Sequence, residues 1–189
     1  MKGGVWLKNL EYCVYTYKHR KALKKVIEDC KHLSNDDKVK LLKRASIHDM
    51  DKMVMYMFWD KKRSSNYHRE HASHHIDNSI EKSRLDLLET IFDYECAGIT
   101  KPDKPLNAYD TMYKFYPTYE NELLPLLKEL NMYSSYKVVD KWNLADLSVT
   151  EKDILKEVSV YLRNNTNNIC TELKDELCDY REYLKLIEY

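Results

Sequence analysis

Apolar residues recur along most of this chain with the three- and four-residue spacing of amphipathic α-helices. The first such segment predicts a helix from about Leu7 to Leu33. One stripe of this helix consists of Tyr12, Tyr15, His19, Leu23, Val26 and Cys30. Because His19 belongs to that stripe, we expect its imidazole to face the core. Turn and cap residues follow from Ser34 to Asp37.

A second helix is predicted after this turn. Its buried side would carry Val39, Leu42, Ala45, His48 and Asp49. Lys52 follows His48 by four residues, so we expect both side chains on one helical face. The apolar run Met53 to Trp59 closes the segment, and the polar, basic stretch Asp60 to Asn66 predicts a loop.

A histidine-rich segment and a third long helix complete the first half of the chain. His68, His71 and His75 would share one face of a helix, with His74 displaced to its side. The next helix is predicted over Ser79 to Ala97. Asp77 and Asn78 would cap its start, and Gly98 would cap its end. Asp93 lies among apolar residues of this helix, and a buried carboxylate needs a partner.

The stretch Thr100 to Pro105 is the clearest break in the chain. Shorter helices are predicted near Ala108–Tyr116 and Tyr119–Leu130. A last long helix would begin with a capping box made by Ser148 and Glu151, and the Asn-rich run Asn164 to Asn168 would interrupt it. These elements predict an all-α chain that forms a single domain, residues 1–189.

Composition and charge exclude several classes of protein. Lys+Arg and Asp+Glu both number 31, so we expect no general attraction to nucleic acid or to a membrane surface. Three glycines and four prolines disfavour all-β folds and Gly-rich phosphate loops. The five cysteines form no CxxC motif, and no signal peptide or membrane-length apolar run is present. We therefore expect a reduced, cytoplasmic protein.

The distribution of histidine is the main indication of chemistry. All seven histidines lie within the first 75 residues, and His48 is followed directly by Asp49. Imidazole and carboxylate are ligands of Zn, Mn and Fe. Taken singly, each residue has a structural explanation: His19 as a hydrogen-bonded core residue, the later histidines as a surface patch, and Asp93 as half of a salt bridge. Their order on separate predicted helices favours a metal site.

The order His19, then His48-Asp49, then Asp93 resembles the pattern of the HD-domain superfamily of metal-dependent phosphohydrolases. The resemblance covers about the first hundred residues. Three segments are also similar to a small uncharacterised HD-like family of bacteria and their phages: Ile47 to Lys52, Ser73 to His75 and Ile91 to Tyr94. That family carries an HD-x-S-K element, in which Asp51 here replaces the serine. The glycine-rich signature of the cyclic-dinucleotide phosphodiesterases is missing.

The resemblance implies an HD-domain-like helical bundle, with a metal-binding core in residues 1–98 and a helical extension in 99–189. It assigns the ligands of a first divalent ion to His19, His48, Asp49 and Asp93. A second ion would take His68 and one or both of His74 and His75. The metal would be Mn, Fe, Zn, Ni or Co.

Further roles follow from the chemistry that such a centre supports. Lys52 would stabilise developing charge or protonate the leaving group, and His71 would act as an acid or support a ligand. Arg20 and Arg69 would bind substrate phosphates. Each also has an ordinary structural explanation, as a salt bridge for Lys52 and as solvated surface charges for the arginines.

The resemblance thus implies a metal-dependent phosphohydrolase or phosphodiesterase that acts on a small phosphorylated, nucleotide-like molecule. One alternative is a di-iron oxygenase with the HD fold, since the same ligands can activate oxygen. Another is a non-catalytic protein that binds a metal or a nucleotide. We expect neither a membrane nor a nucleic acid as a partner, and we leave open a homo-oligomer.

Overall fold

A computed structural model describes residues 3–101, 103, 105–165, 173, 177–179 and 181, with side chains from residue 9 onward. The described residues are helical and contain no β-strand, which confirms the all-α class. The helices are α1 (Gly3–Asp29), α2 (Asn35–Ala45), α3 (Met50–Met55), α4 (Lys61–His71), α5 (Arg84–Thr100), α6 (Ala108–Phe115), α7 (Glu120–Glu129) and α8 (Glu151–Asn165). A short 3₁₀ turn, Pro117–Tyr119, precedes α7.

The chain contacts divide into two compact units. The terminal unit consists of Met1–Tyr17, Asp49–His68 and Ser148–Tyr189. The central unit consists of Lys18–His48 and Arg69–Leu147. Each unit combines residues from both sides of residue 98, so the contacts group the chain differently from the division that the resemblance implies.

Helix α5 lies at the middle of the central unit and packs against α2, α6 and α7. Twelve of its 17 residues are buried, so it is enclosed on most sides rather than along one stripe. The surrounding core is apolar and includes Leu23, Ile27, Leu41, Phe92, Met112, Leu123 and Leu127. Because α5 is so enclosed, every polar side chain that points inward from it needs a partner within the fold.

The ends of α5 differ from the prediction. Ser83 caps its start in a capping box with Asp86, so the predicted cap at Asp77 and Asn78 is wrong. Gly98 lies inside the helix and does not cap its end. A Cβ atom built on Gly98 would lie 2.6 Å from the Leu106 carbonyl oxygen and 2.8 Å from Val138 Cγ2. The glycine therefore permits the close approach of two other chain segments to α5.

The segment that contains His48 and Asp49 also differs from the prediction. Helix α2 ends at Ala45, and a turn leads to α3. Asp49 ends this turn with a φ angle of 57°, in the left-handed region. The prediction that His48 and Asp49 lie on a helical face shared with Lys52 is therefore wrong. Val39 is 69% exposed, so its predicted burial is also wrong.

Two predictions for the histidine-rich segment and the stretch before it are also wrong, because the local sequence is a weak guide to where a helix begins and ends. The polar stretch predicted as a loop before residue 67 is mostly helical, because α4 begins at Lys61. His74 and His75 follow the end of that helix and lie in a turn, so they do not continue the helical face of His68 and His71.

The terminal unit has its own apolar core, formed mainly by α3 and α8. Its buried residues include Met53, Val54, Met55, Trp59, Ile154, Val158 and Leu162. The Asn9 side-chain amide donates hydrogen bonds to the carbonyl oxygens of Tyr56, at 2.9 Å, and Trp59, at 2.7 Å. These bonds hold the segment that follows α3 against α1. They satisfy two backbone carbonyl groups that lie beyond the end of α3.

Predictions for the second half of the chain are mostly confirmed. Helices α6 and α7 match the predicted elements, and α5 ends at the predicted break. The last helix is capped by a reciprocal pair of Thr150 and Asp153 rather than by Ser148 and Glu151. Asn164 and Asn165 continue α8, and the rest of that Asn-rich run lies outside the described residues.

Two further observations concern the chain as a whole. None of the helices in the described part of the chain has the length and apolar character to cross a membrane. Within the described part of the chain, Cys13, Cys30, Cys96 and Cys178 form no disulfide bond, and Cys170 lies outside the described residues.

Gly98→Ala should lower the free energy of unfolding by about 1–3 kcal/mol, because the added methyl group collides with a backbone oxygen and Val138. In an uncrowded helix the same change would raise stability by about 1 kcal/mol. Urea unfolding followed by circular dichroism measures the difference. Ala97→Gly is the matched control, since it changes the helix propensity at the preceding position without adding an atom. A Gly98→Ala protein as stable as the wild type would contradict the close approach.

Candidate metal centre

Two of the predicted ligands, His19 and Asp93, are in direct contact in the central unit. His19 comes from the middle of α1 and is 3% exposed, which confirms that it faces the core. Its Nε2 atom lies 2.7 Å from Asp93 Oδ1 of α5. Its Nδ1 atom lies 3.3 Å from Thr100 Oγ1. Because the Thr100 hydroxyl also lies 3.3 Å from the Cys96 carbonyl, to which it donates, it can accept from His19 Nδ1.

His48 completes this group from the turn after α2. Its ring centre lies 5.6 Å from that of His19, and its Nε2 atom lies 3.8 Å from Asp93 Oδ1. One ligand atom from each of His19, His48 and Asp93 lies within 4.8 Å of the others. Two imidazoles and a carboxylate at this spacing could hold a metal ion. The expected proximity of His19 and His48 is confirmed.

The charge on Asp93 suits a metal ligand. Burial by itself would raise the pKa of its carboxyl group. The hydrogen bond from His19 and the electrostatic effects of His19, His48 and His74 outweigh burial, and they hold the pKa of Asp93 well below its ordinary value. The side chain is therefore ionised. A cation can replace the proton that His19 shares with it, since metal binding releases protons from such ligands.

Glu89 belongs to this centre, and sequence reasoning missed it. It is buried on α5, and its Oε1 atom lies 2.9 Å from His48 Nδ1. Because an ionised carboxylate can only accept hydrogen bonds, the proton of His48 lies on Nδ1. Its Nε2 atom then faces Asp93. Arg44 of α2 forms an ion pair with the other oxygen of Glu89 at 2.6 Å. Its spacing in the sequence could have identified it, because Glu89 precedes Asp93 by four residues and so lies on the same helical face.

His74 and His75 lie next to this group, on the turn after α4. The His74 ring centre is 4.3 Å from that of His48 and 4.5 Å from that of His75. The Thr90 hydroxyl of α5 donates to the His74 carbonyl at 2.6 Å, which ties the turn to the same helix as Asp93. The structure therefore brings these two predicted ligands close to His48 within the central unit.

Asp49 and His68, two further predicted ligands, are in contact within the terminal unit. His68 Nε2 lies 2.7 Å from Asp49 Oδ1, and His68 Nδ1 lies 2.8 Å from Asp51 Oδ2. Burial would lower the pKa of His68, but the charges and hydrogen bonds of Asp51 and Asp49 raise it to about 9. His68 is therefore an imidazolium that forms ion pairs with both carboxylates. As a ligand it would first lose the proton that faces Asp49.

The other predicted residues have varied positions. Lys52 donates to Asp49 Oδ2 at 2.6 Å, so the salt bridge weighed as its structural explanation is present. Arg20 is 2% exposed, so the alternative of a solvated surface charge is wrong for this residue. Arg69 is exposed and pairs with Asp77 at 2.8 Å. His71 is exposed at the end of α4. The catalytic and substrate-binding roles of these residues stay predictions.

Comparison with known proteins adds nothing to this description. No family model, no curated protein and no solved structure gives a significant match to the chain.

Loss of one ligand should remove most of the bound metal. We expect His48→Ala and Asp93→Ala to bind far less Mn, Fe, Zn or Co than the wild type, because each removes one of three clustered donors. Metal content is measured by mass spectrometry on protein purified without a histidine tag. His32→Ala is the matched control, since His32 is exposed and lies outside the cluster. Full metal content in both folded variants would reject the centre.

Glu89→Gln should weaken metal binding about 10- to 100-fold while every proposed ligand stays in place. The amide has one acceptor oxygen, so it cannot serve both His48 and Arg44 as the carboxylate does. Competition with a chelator measures the affinity. Glu81→Gln, at an exposed position of the same unit, should bind metal as the wild type does. Equal affinity in the two variants would show that Glu89 has no part in metal binding.

Proposed function

We propose that this protein is a metal-dependent phosphohydrolase or phosphodiesterase with an HD-domain-like fold, acting on a small nucleotide-like phosphate ester. The observation that carries the proposal is the cluster of His19, His48 and Asp93. These residues come from α1, from the turn before α3 and from α5, the order and separation that the resemblance implies. Asp49 is covalently next to His48, and its assignment to the same ion stays a prediction from the sequence.

The donor set suits hydrolysis at a phosphorus centre. A divalent ion held by two imidazoles and a carboxylate would polarise a phosphoryl oxygen and lower the pKa of a bound water to about 7. The protein supplies ionised Asp93, and Glu89 fixes the ring orientation of His48. The further imidazoles of His74 and His75 provide donors for a second ion. Clustered donors of this kind also suit a di-iron oxygenase.

Turnover in the absence of oxygen separates the two reactions. The protein, loaded in turn with Mn, Fe, Zn or Co, is incubated anaerobically with nucleoside mono-, di- and triphosphates, cyclic nucleotides and a chromogenic phosphodiester. We expect phosphate release or phosphodiester cleavage that His48→Ala abolishes. Turnover that requires iron and consumes oxygen would favour the oxygenase. Bound nucleotide without turnover under any metal would favour the non-catalytic alternative.

Lys52→Ala tests for an electrostatic role in the transition state. We expect this variant to keep its metal and fold and to lose about 10²-fold or more in turnover, as enzymes typically do when such a group is removed. Lys52 is mostly buried and binds the carboxylate of Asp49, so its ammonium group is held in one place. Metal content and turnover are measured together on the same preparation. Lys62→Ala, at an exposed position on α4, is the control.

Two outcomes would assign Lys52 differently. Wild-type turnover in Lys52→Ala would make its contact with Asp49 purely structural. Loss of metal along with turnover would make Lys52 a support for a ligand, since the observed salt bridge at 2.6 Å would then hold Asp49 in position.

A further inference from the structure

A cavity of about 310 Å³ lies in the central unit, lined by residues that the proposed metal centre does not use. Its walls are mainly apolar and include Val26, Ile99, Met132, Val138 and Trp142. Its volume is at the small end of the range of ligand pockets, and apolar walls with a few polar groups are typical of such pockets.

One side of the cavity is an irregular segment of unusual length. Residues 130–147 form neither helix nor strand, whereas connections in compact domains typically have about 4–6 residues. This segment contributes Met132, Tyr136 to Val139, Lys141 and Trp142 to the lining. Hydrogen bonds fix it, since the Asn107 side chain donates to the Ser134 carbonyl at 2.8 Å and the Ala145 N–H donates to Asp140 at 2.8 Å. Long loops that are held in this way usually serve binding.

Glu95 is the most deeply buried polar group of the lining. It is 6% exposed, and it accepts hydrogen bonds from the Ala108 N–H at 2.9 Å and the Tyr136 hydroxyl at 2.8 Å. Burial raises the pKa of this carboxyl group, and Asp110 adds to that effect. Among the described residues, no lysine, arginine or histidine forms an ion pair with Glu95. Two donors use only about half of the acceptor sites of a carboxylate.

The other charged residues of the lining are exposed and do not compensate Glu95. Lys141 and Asp29 are both largely exposed, and their charged atoms are 4.0 Å apart. Lys137 is also exposed. Water and salt screen such surface charges, whereas a charge beside a buried carboxylate acts in a medium of lower dielectric constant.

We propose that this cavity binds a small organic cation, an ammonium or amidinium group on an aromatic or aliphatic body. The cationic group would pair with Glu95, and the body would contact the walls formed by Val26, Ile99, Met132 and Val138. Trp142 and Tyr136 add aromatic rings to the lining, and the faces of such rings also attract organic cations. The pairing offsets the cost of a buried carboxylate that lacks a cation within the fold.

Three probes with the same phenyl ring and nearly the same chain length test the charge preference. They are 2-phenylethylammonium, the neutral 2-phenylethanol and the anionic 3-phenylpropionate. Calorimetric titration at mildly alkaline pH gives their affinities, and the indole N–H resonance of Trp142 reports the location. We expect the ammonium to bind at least about tenfold more tightly than either analogue. This ratio of dissociation constants corresponds to one charge-assisted hydrogen bond of about 1.5 kcal/mol. Equal or tighter binding of the alcohol or the carboxylate would overturn the proposal, as would no response of Trp142 to any probe.

Two variants locate the interaction. Glu95→Gln should remove the preference for the cation, and circular dichroism checks that the variant folds. Val139→Trp should weaken binding even if Glu95→Gln does not fold, because Val139 is exposed on the cavity wall and a large ring there obstructs the entrance. Val39→Trp is its matched control, at an exposed valine of the same unit outside the lining. Unchanged cation binding in Val139→Trp would place the site elsewhere.

Discussion

The central unit depends on a single constraint, which is that helix α5 carries acidic side chains into a mostly apolar core. Asp86, Glu89 and Glu95 are buried, and Asp93 is mostly so. An ionised carboxylate out of contact with water is costly unless it is paired and hydrogen-bonded. Each of these four residues therefore fixes the position of another part of the chain, and together they determine how the unit is assembled around α5.

The partners of these carboxylates show how the metal centre is positioned. Arg44 bridges Asp86 and Glu89, so α2 is held against α5 immediately before the turn that carries His48. Glu89 then orients the imidazole of His48, while Asp93 receives His19 from α1. The ligands come from separate elements, but their geometry is set by one helix. A change at Arg44 or Glu89 therefore acts on the centre without removing a ligand.

A carboxylate on the Nδ1 atom of a histidine occurs in both units. Glu89 lies 2.9 Å from Nδ1 of His48, and Asp51 lies 2.8 Å from Nδ1 of His68. At His48 this arrangement fixes the tautomer and directs Nε2 towards a ligand position, as is usual for histidines that bind metals. At His68 the other nitrogen, Nε2, lies 2.7 Å from Asp49 Oδ1. The contact with Nδ1 gives a physical role to Asp51, the position at which this chain differs from the family that it resembles.

The sequence by itself determined the helical class, the burial of His19 and the need of Asp93 for a partner, because periodicity and the cost of buried charge are local properties. It did not show that α2 ends at Ala45 and that His48 and Asp49 lie in the turn that follows, where Asp49 adopts a left-handed conformation that no spacing rule predicts. Nor did it distinguish Glu89, as a residue of the metal centre, from the other acidic residues of the predicted helices. Only the tertiary structure decided those points, and the role of Glu89 depends on which side chains of distant segments, here His48 and Arg44, meet it on α5.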